Sequence, residues 1–456
     1  MDSSAPIRKT WLPQDANHKG TKKQRVTNSG GARPPGIPAS PEKGQQMNFL
    51  SHRREREDAR AQDVRSEARH VLKRGLSGGL ILGLAAAAAV AVPAVASASV
   101  TSSPVVGHVY VNDNTAGTNT IGAFDTHANG SLTPLAGSPF AAGGAGTGTG
   151  LASQGAIQIA SGGRFLLAVD AGSNQISVLR IRSDGSLSPV PGGIVSSGGQ
   201  KPVSVAAFCN LVYVANSGAG GSNYTGFRLT FLGRLIPLRG STVPLAASAQ
   251  AGDVLFNGTG TKLVGAEIGT SLIDSFTVGL NGRLTAAAGS PFPAQGLGPF
   301  GSEFRPTNPS QLFVSNAHNV GAGTGTISAF NDAFNAVLTP VAGSPFADDQ
   351  TAPCWVEITH DGKFLFTVNT GSGEISRYQI AAGGALTLLG STPVGQTGGV
   401  GAVDARLSPD GRFLYVDESR AGAVGTFAVN GGNLTEVSTS PTSLPTGATP
   451  AGIVAN

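Results

Sequence analysis

The 456-residue chain holds 66 glycines and 28 prolines but only 13% charged and 6% aromatic residues, which excludes a coiled coil or long-helix protein and fits a turn-rich all-β chain. Its net charge of +4 is unevenly placed: residues 1–75 carry 16 Lys+Arg against 8 Asp+Glu, leaving 15 against 19 for the remainder. The bulk of the chain is mildly acidic, so no nucleic-acid partner is expected for it.

Residues 1–46 are rich in Pro, Gly, Ser, Lys and Gln without apolar periodicity and read as disordered. Met47 is the only methionine after Met1 and offers a second translation start. A charged, solvated stretch at 53–74 completes a basic leader over 1–75. Lys73 and Arg74 then precede an uncharged Leu/Ala/Val run at 76–92, Pro93 and a small-residue series at 94–98. A positive flank, an apolar segment and a small-x-small site make a secretory signal, cut after Ala96 or Ala98. A retained membrane anchor is the other reading of 76–98, since about 20 apolar residues can span a bilayer. Either way the following domain is expected to be secreted or at the cell surface. Residues 99–107 form a short linker.

From 108 to 456 the chain repeats one unit, clearest at 409–441, PDGRFLYVDESRAGAVGTFAVNGGNLTEVSTSP. The Asp410-Gly411 turn leads into an apolar run, a polar turn gives a second run at 423–429, and a Gly-Gly-Asn turn precedes a strand opened by Leu434. Short apolar runs joined by tight turns predict an antiparallel meander. Aligned on the polar residue that ends the second strand, the copies fall at Asn112, Asp170, Asn216, Glu267, Asn316, Asn369 and Asp417; the six Asn/Asp anchors are expected to cap the turn that follows, and Glu267 breaks the series. Their spacings of 58, 46, 51, 49, 53 and 48 residues are those of a propeller blade. The phrases LTPLAGSPF at 132–140, LTAAAGSPF at 284–292 and LTPVAGSPF at 338–346 close blades, and their Gly, Ser and Pro suit an unpaired crossing to the next inner strand. The first copy lacks an inner strand and the last is followed by a spare one at 449–456. These features predict an all-β, seven-bladed β-propeller of four-stranded antiparallel blades, its ring closed by the C-terminal strand.

Cys209 and Cys354 are placed on inner strands of blades 3 and 6, across the ring, and are read as separate buried thiols. No Cys/His spacing suggests zinc and no loop suggests calcium, so no metal or cofactor is expected. His318 and His360 fall at blade ends, and GGAGTGTG at 143–150 lacks the Lys and following helix of a phosphate loop. Four Asn-x-Ser/Thr patterns, at Asn129, Asn223, Asn257 and Asn433, matter only in a eukaryotic secretory route.

The phrases SPDGRFLYVDES, HDGKFLFTVNTGSGEISRYQI and GSLTPLAGSPF resemble the lactonase family of seven-bladed propellers, which includes bacterial 6-phosphogluconolactonase and carboxymuconate-lactonising enzymes. The resemblance covers about residues 105–456 and implies the fold and lactone-opening chemistry. Enzymes of that family carry Pro-Arg-His on an inner strand, Asn-Glu-Leu at the end of a second strand, and Asn-Arg-Gly in a nearby blade. Here Asp253 stands in place of the His, Trp355 takes the equivalent place in blade 6, the acid survives as Glu267 and Glu418, and Asn369-Thr370-Gly371 replaces the Arg-Gly phrase.

The inner strands offer a separate candidate set. Residues two apart on a strand share a face, which pairs Asp404 with Arg406 and Trp355 with Glu357, and by register Glu303 matches Glu357. If that face lines the channel, Asp253, Glu303, Glu357, Asp404 and Arg406 surround one opening. A carboxylate there can activate water while Arg406 holds a developing oxyanion. The bland alternative is that these charges pair between blades. Asp404, Arg406, Glu267, Glu357 and Glu303 are thus candidate catalytic residues, with Asp253 and Trp355 as candidate ligand contacts. Two functions are expected: a monomeric exported hydrolase acting on a sugar or organic-acid lactone, or a catalytically silent propeller that binds glycan, cell-wall material or protein. A membrane is expected only through the N-terminal anchor.

Overall fold

The computed structural model describes residues 103–218, 222–395 and 401–456. The leader, the signal or anchor segment with its cleavage site, and the second start at Met47 lie outside the described residues. Within them there is no helix, and seven antiparallel sheets follow one another round a ring. Strands Ile157–Ala160, Pro202–Phe208, Ala251–Phe256, Pro299–Arg305, Pro353–Ile358 and Ala402–Leu407 are the inner strands of blades 2 to 7. Ile453–Ala455 supplies the inner strand of blade 1, pairing antiparallel with Val105–Asn112. It packs against the inner strands of both blade 7 and blade 2, so the ring closes as the sequence predicts.

Each second strand is a run of apolar residues buried on both sides, as in Phe165–Asp170 and Leu211–Asn216, because each blade is sandwiched between two others. Tyrosines in this layer send their hydroxyls into the following blade: Tyr110 donates to the Gly185 carbonyl at 2.8 Å and Tyr213 to that of Gly282 at 2.9 Å. We call the side where inner strands begin the upper face and the side where they end the lower face.

Four expectations change. The crossing after LTPLAGSPF and its relatives is paired: Phe140, Phe292, Phe346 and Thr442 each pair with the start of the third strand of their own blade, adding a short fifth strand. The Ser of each phrase explains this, since Ser138, Ser290, Ser344 and Ser440 accept third-strand N–H groups at 2.7–2.9 Å through Oγ. In blade 7 the residue in anchor register is Glu418, which pairs with Ala402 as Glu267 pairs with Ala251; Asp417 is one position earlier. Nor are the anchors only turn caps. Asn112 Nδ2 donates to the Ala156 and Val169 carbonyls of blade 2, and Asn216, Asn369 and Asp170 bond the side chain seven residues on, Asn223, Ser376 and Ser177. Cys354 is buried on its inner strand, but Cys209 is exposed, in the turn after its strand rather than on it.

Candidate active site in the channel

Three residues before each anchor, counted in the paired second strand, the seven inner strands present one residue each: Ala455, Gln158, Ala206, Leu255, Glu303, Glu357 and Arg406. The register match between Glu303 and Glu357 read from the sequence is therefore real, and all three charges of this ring lie on consecutive blades. On the lower side a cavity of about 260 Å³ is lined by Gln158, Asp253, Phe256, Asn257, Glu303 and Arg406. A second cavity of about 280 Å³ opens on the upper side and is mostly apolar, lined by Leu151, Phe300, Cys354, Val403 and Ala451. Gln154 separates them. Entering from blade 2, it donates its backbone N–H to the Gly252 carbonyl of blade 4 at 3.0 Å and its Nε2 to the Ser302 carbonyl of blade 5 at 3.3 Å. The stretch following the Gly-rich segment is thus a plug across the channel, a role that no local pattern signals.

Four of the candidate carboxylates differ sharply in what they touch. Asp253 accepts Ser302 N–H at 3.1 Å, the Ser302 hydroxyl, and Ser204 Oγ at 3.3 Å. Asp404 accepts Ile453 N–H at 2.9 Å, and Glu357 accepts Leu407 N–H at 3.0 Å. These three carboxylates each satisfy a backbone donor on the inner strand of the next blade, a structural duty that explains their burial. Glu303 has no such bond among the described residues and is only partly buried. Burial, and then the nearby Glu357 charge, push its carboxyl up to about 8 despite the pull of Arg406. Asp253 is pushed up to about 7 by burial, against the hydrogen bonds it accepts.

Arg406 Nη1 lies 3.3 Å from Glu357 Oε2, and its Nε is buried with no acceptor. Burial would lower the guanidinium, but Glu357, Glu303, Asp404 and Asp253 outweigh it and hold the group above its ordinary value. It stays a cation with donor capacity to spare.

The remaining candidates do not join this cavity. Trp355 is fully buried between blades 6 and 7, packed with Phe366, Val368 and Leu414. Asp404 is buried at the seam of blades 7 and 1, beside Asp417. Glu267 is buried in blade 4, where it accepts the Thr270 hydroxyl and neighbours Asp274. Asp274 occupies the place that Asn or Ser fills in blades 1, 2, 3 and 6, seven residues after the anchor. Tyr224 donates to it at 3.0 Å, and burial followed by the Glu267 charge raises it to about 7. Gln154, Ser204, Ser302 and Asp274 all escaped sequence reasoning. Only the seven-residue offset shared with blades 1, 2, 3 and 6 could have disclosed Asp274.

A further acidic group lies at the blade 7–blade 1 seam. Asp417 and Glu418 have both carboxyl oxygens buried without partners, and Asp113 has one. Burial raises all three, Asp113 and Glu418 to about 7 and Asp417 well above the ordinary range, the last aided by Asp113 and Glu418. Among the described residues, no three His, Cys, Asp or Glu side chains are grouped so as to hold a metal ion.

The sequence matches no known family profile and no curated protein. Among solved structures it is similar to a candidate 6-phosphogluconolactonase of Bacteroides fragilis (18% identity, TM-score 0.60, covering 77% of this chain and 98% of that one). A second such protein, of Bacteroides uniformis, gives 17% identity and a TM-score of 0.62 over 77% and 99% of the two chains. The periplasmic gluconolactonase of Pseudomonas aeruginosa gives 16% and 0.59 over 76% and 98%. At such identities the likeness speaks to fold, and in fold this chain is a lactonase-like seven-bladed β-propeller.

Proposed function

We propose that the protein is an exported hydrolase that opens a sugar or organic-acid lactone in the lower cavity. The observation that carries this reading is that Glu303, the ring carboxylate with no backbone duty, shares a cavity with Arg406, a cation with an unused donor. Ionised Glu303 takes a proton from water as the water oxygen bonds to the lactone carbonyl carbon. Arg406 holds the resulting oxyanion, and Glu357 holds Arg406. Collapse breaks the ring C–O bond, and the proton on Glu303 passes to the departing alkoxide, giving the hydroxy acid. Gln158 and Asn257 line the same space and suit a polyhydroxylated ring. Export rests on the signal-like segment at 76–98.

A catalytically silent propeller that binds glycan, cell-wall material or protein is the second reading. It is favoured by the engagement of Asp253, Glu357 and Asp404 in inter-blade hydrogen bonds, and a fold does not by itself fix an activity.

Proton release from a panel of aldonolactones and muconolactones decides between them. Turnover should rise with pH towards a plateau above about 8, the value of Glu303, and should fall about 100-fold or more in Glu303→Gln and Arg406→Met. No turnover from folded protein, with and without divalent metal, overturns the enzymatic reading.

A further inference from the structure

The mildly acidic balance of the propeller conceals how its charges are placed. Over residues 151–298, Asp170, Asp253, Glu267 and Asp274 are buried, and Asp184 is the only exposed carboxylate among the described residues. Arg164, Arg182, Arg234, Arg239 and Arg283 are all exposed in the same blades. Their neighbours are carbonyls and a hydroxyl: Arg164 donates to Phe231 O, Arg234 to Pro191 O, Arg283 to Arg239 O and Arg182 to Ser188 Oγ. None of the five has an ion pair to a carboxylate among the described residues. Blades 2 to 4 therefore show solvent a net basic surface, in which Asp184, beside Arg182, is the one exposed carboxylate among the described residues.

The tight turn between strands three and four of each blade lies on the lower face. In blades 2 to 5 it is closed by the same N–H to carbonyl bond, Gly185 to Arg182, Gly233 to Thr230, Gly282 to Gly279 and Ala336 to Ala333, at 2.7–3.0 Å. Two residues before the closing position stands Ser183 in blade 2, but Phe231, Leu280 and Phe334 in blades 3, 4 and 5. These are 74%, 107% and 98% exposed, and Leu232 adds a fourth apolar side chain at 52%. The turns are seated alike on the preceding blade. Tyr213 holds the Gly282 carbonyl, Ser275 holds that of Ala336 at 2.7 Å, and Gly233 rests against Phe165. Turns seated alike on three consecutive blades thus hold large apolar tips largely in water, where side chains of this kind are normally covered.

We propose that this sector of the lower face docks on an anionic lipid bilayer, the tips entering the headgroup boundary and the arginines pairing with lipid phosphates. Charge complementarity selects an anionic partner, and the tips select one with an apolar phase. A nucleic acid would satisfy the arginines but leave Leu280 and Phe334 in water. The surface is independent of the chemistry assigned to the channel.

Sedimentation of the full chain with phosphatidylcholine vesicles, with and without phosphatidylglycerol, tests this. The basic leader is common to all variants, so differences between them report on the propeller. Phe231→Ser/Leu280→Ser/Phe334→Ser should bind phosphatidylglycerol vesicles about tenfold more weakly than wild type, with an unchanged melting temperature because the tips pack on nothing. Arg182→Glu/Arg234→Glu should bind phosphatidylglycerol vesicles several-fold more weakly than wild type, as should wild type in high salt. Binding by the triple-serine variant equal to wild type overturns the proposal, as does wild-type binding that ignores phosphatidylglycerol. Competition by a short DNA duplex, undiminished in the triple-serine variant, would assign the basic surface to nucleic acid instead.

Discussion

Oδ2 of Asp404 accepts the N–H of Ile453 at 2.9 Å, so a side chain on the inner strand of blade 7 holds the strand that completes blade 1. Burial, then the Asp417 charge, raise this carboxyl well above the usual range. Asp404→Ala should cost about 1–3 kcal/mol by orphaning a buried donor. Asp404→Asn keeps the acceptor and should remain close to wild type in urea melts. Equal losses in the two variants would mean that this bond does not secure the seam.

Buried acids make the fold pH-sensitive in one direction. Burial raises Asp113, Asp253 and Glu418 to about 7 and Glu303 to about 8, and holds Asp404 and Asp417 well above the ordinary range near 4 of the unfolded chain. The folded state therefore binds more protons between about pH 4 and 8, and stability falls as pH rises through that window. Melting temperature should be several degrees higher, on that order, at pH 5.5 than at 8.5. Asp417→Asn should raise the alkaline value and flatten the profile. A melting temperature that climbs with pH over this interval would contradict the protonated seam.

Arg406→Met leaves Glu357 facing the channel without its cation. The expected loss is about 2 kcal/mol, below that of fully buried pairs because 27% of the Arg406 side chain is exposed. Arg406→Met/Glu357→Gln should recover most of it, since Gln still accepts Leu407 N–H. A coupling energy near zero in this double-mutant cycle would show the pair to be incidental, and the cycle separates lost catalysis from lost stability.

A methyl group at Gly301 would overlap Oε1 of Gln154 and the Cys354 carbonyl oxygen. Gly301→Ala should displace the plug at a cost of about 1–3 kcal/mol, and Gln154→Ala in the same background should recover part of it. If Gly301→Ala melts like wild type, Gln154 does not fix the channel.

Features written within one blade were legible in the sequence. Turn pairs such as Asp410-Gly411 and runs such as RFLYVD gave seven blades, because local backbone chemistry repeats. The anchor of blade 7 was misplaced by one because Asp417 and Glu418 are both acidic, and only pairing with Ala402 separates them. The site was half legible. Strand alternation put Glu303, Glu357 and Arg406 on one ring, but not which of them is free to act. The partners of Asp253, Glu357 and Asp404 lie 49 or 50 residues on, one blade further round. No window on the sequence joins them. Gln154 meets Ser302 across 148 residues, and its plug was invisible for the same reason.

The joining of Ile453–Ala455 to Val105–Asn112 also sets the order in which the molecule can be made. Six blades can assemble as the chain emerges, but the first waits, without its inner strand, until residues 453–455 are made. Until then an unpaired strand edge and the open flanks of blades 1 and 7 face solvent. Loss of Ile453–Ala455 would therefore act on ring closure itself.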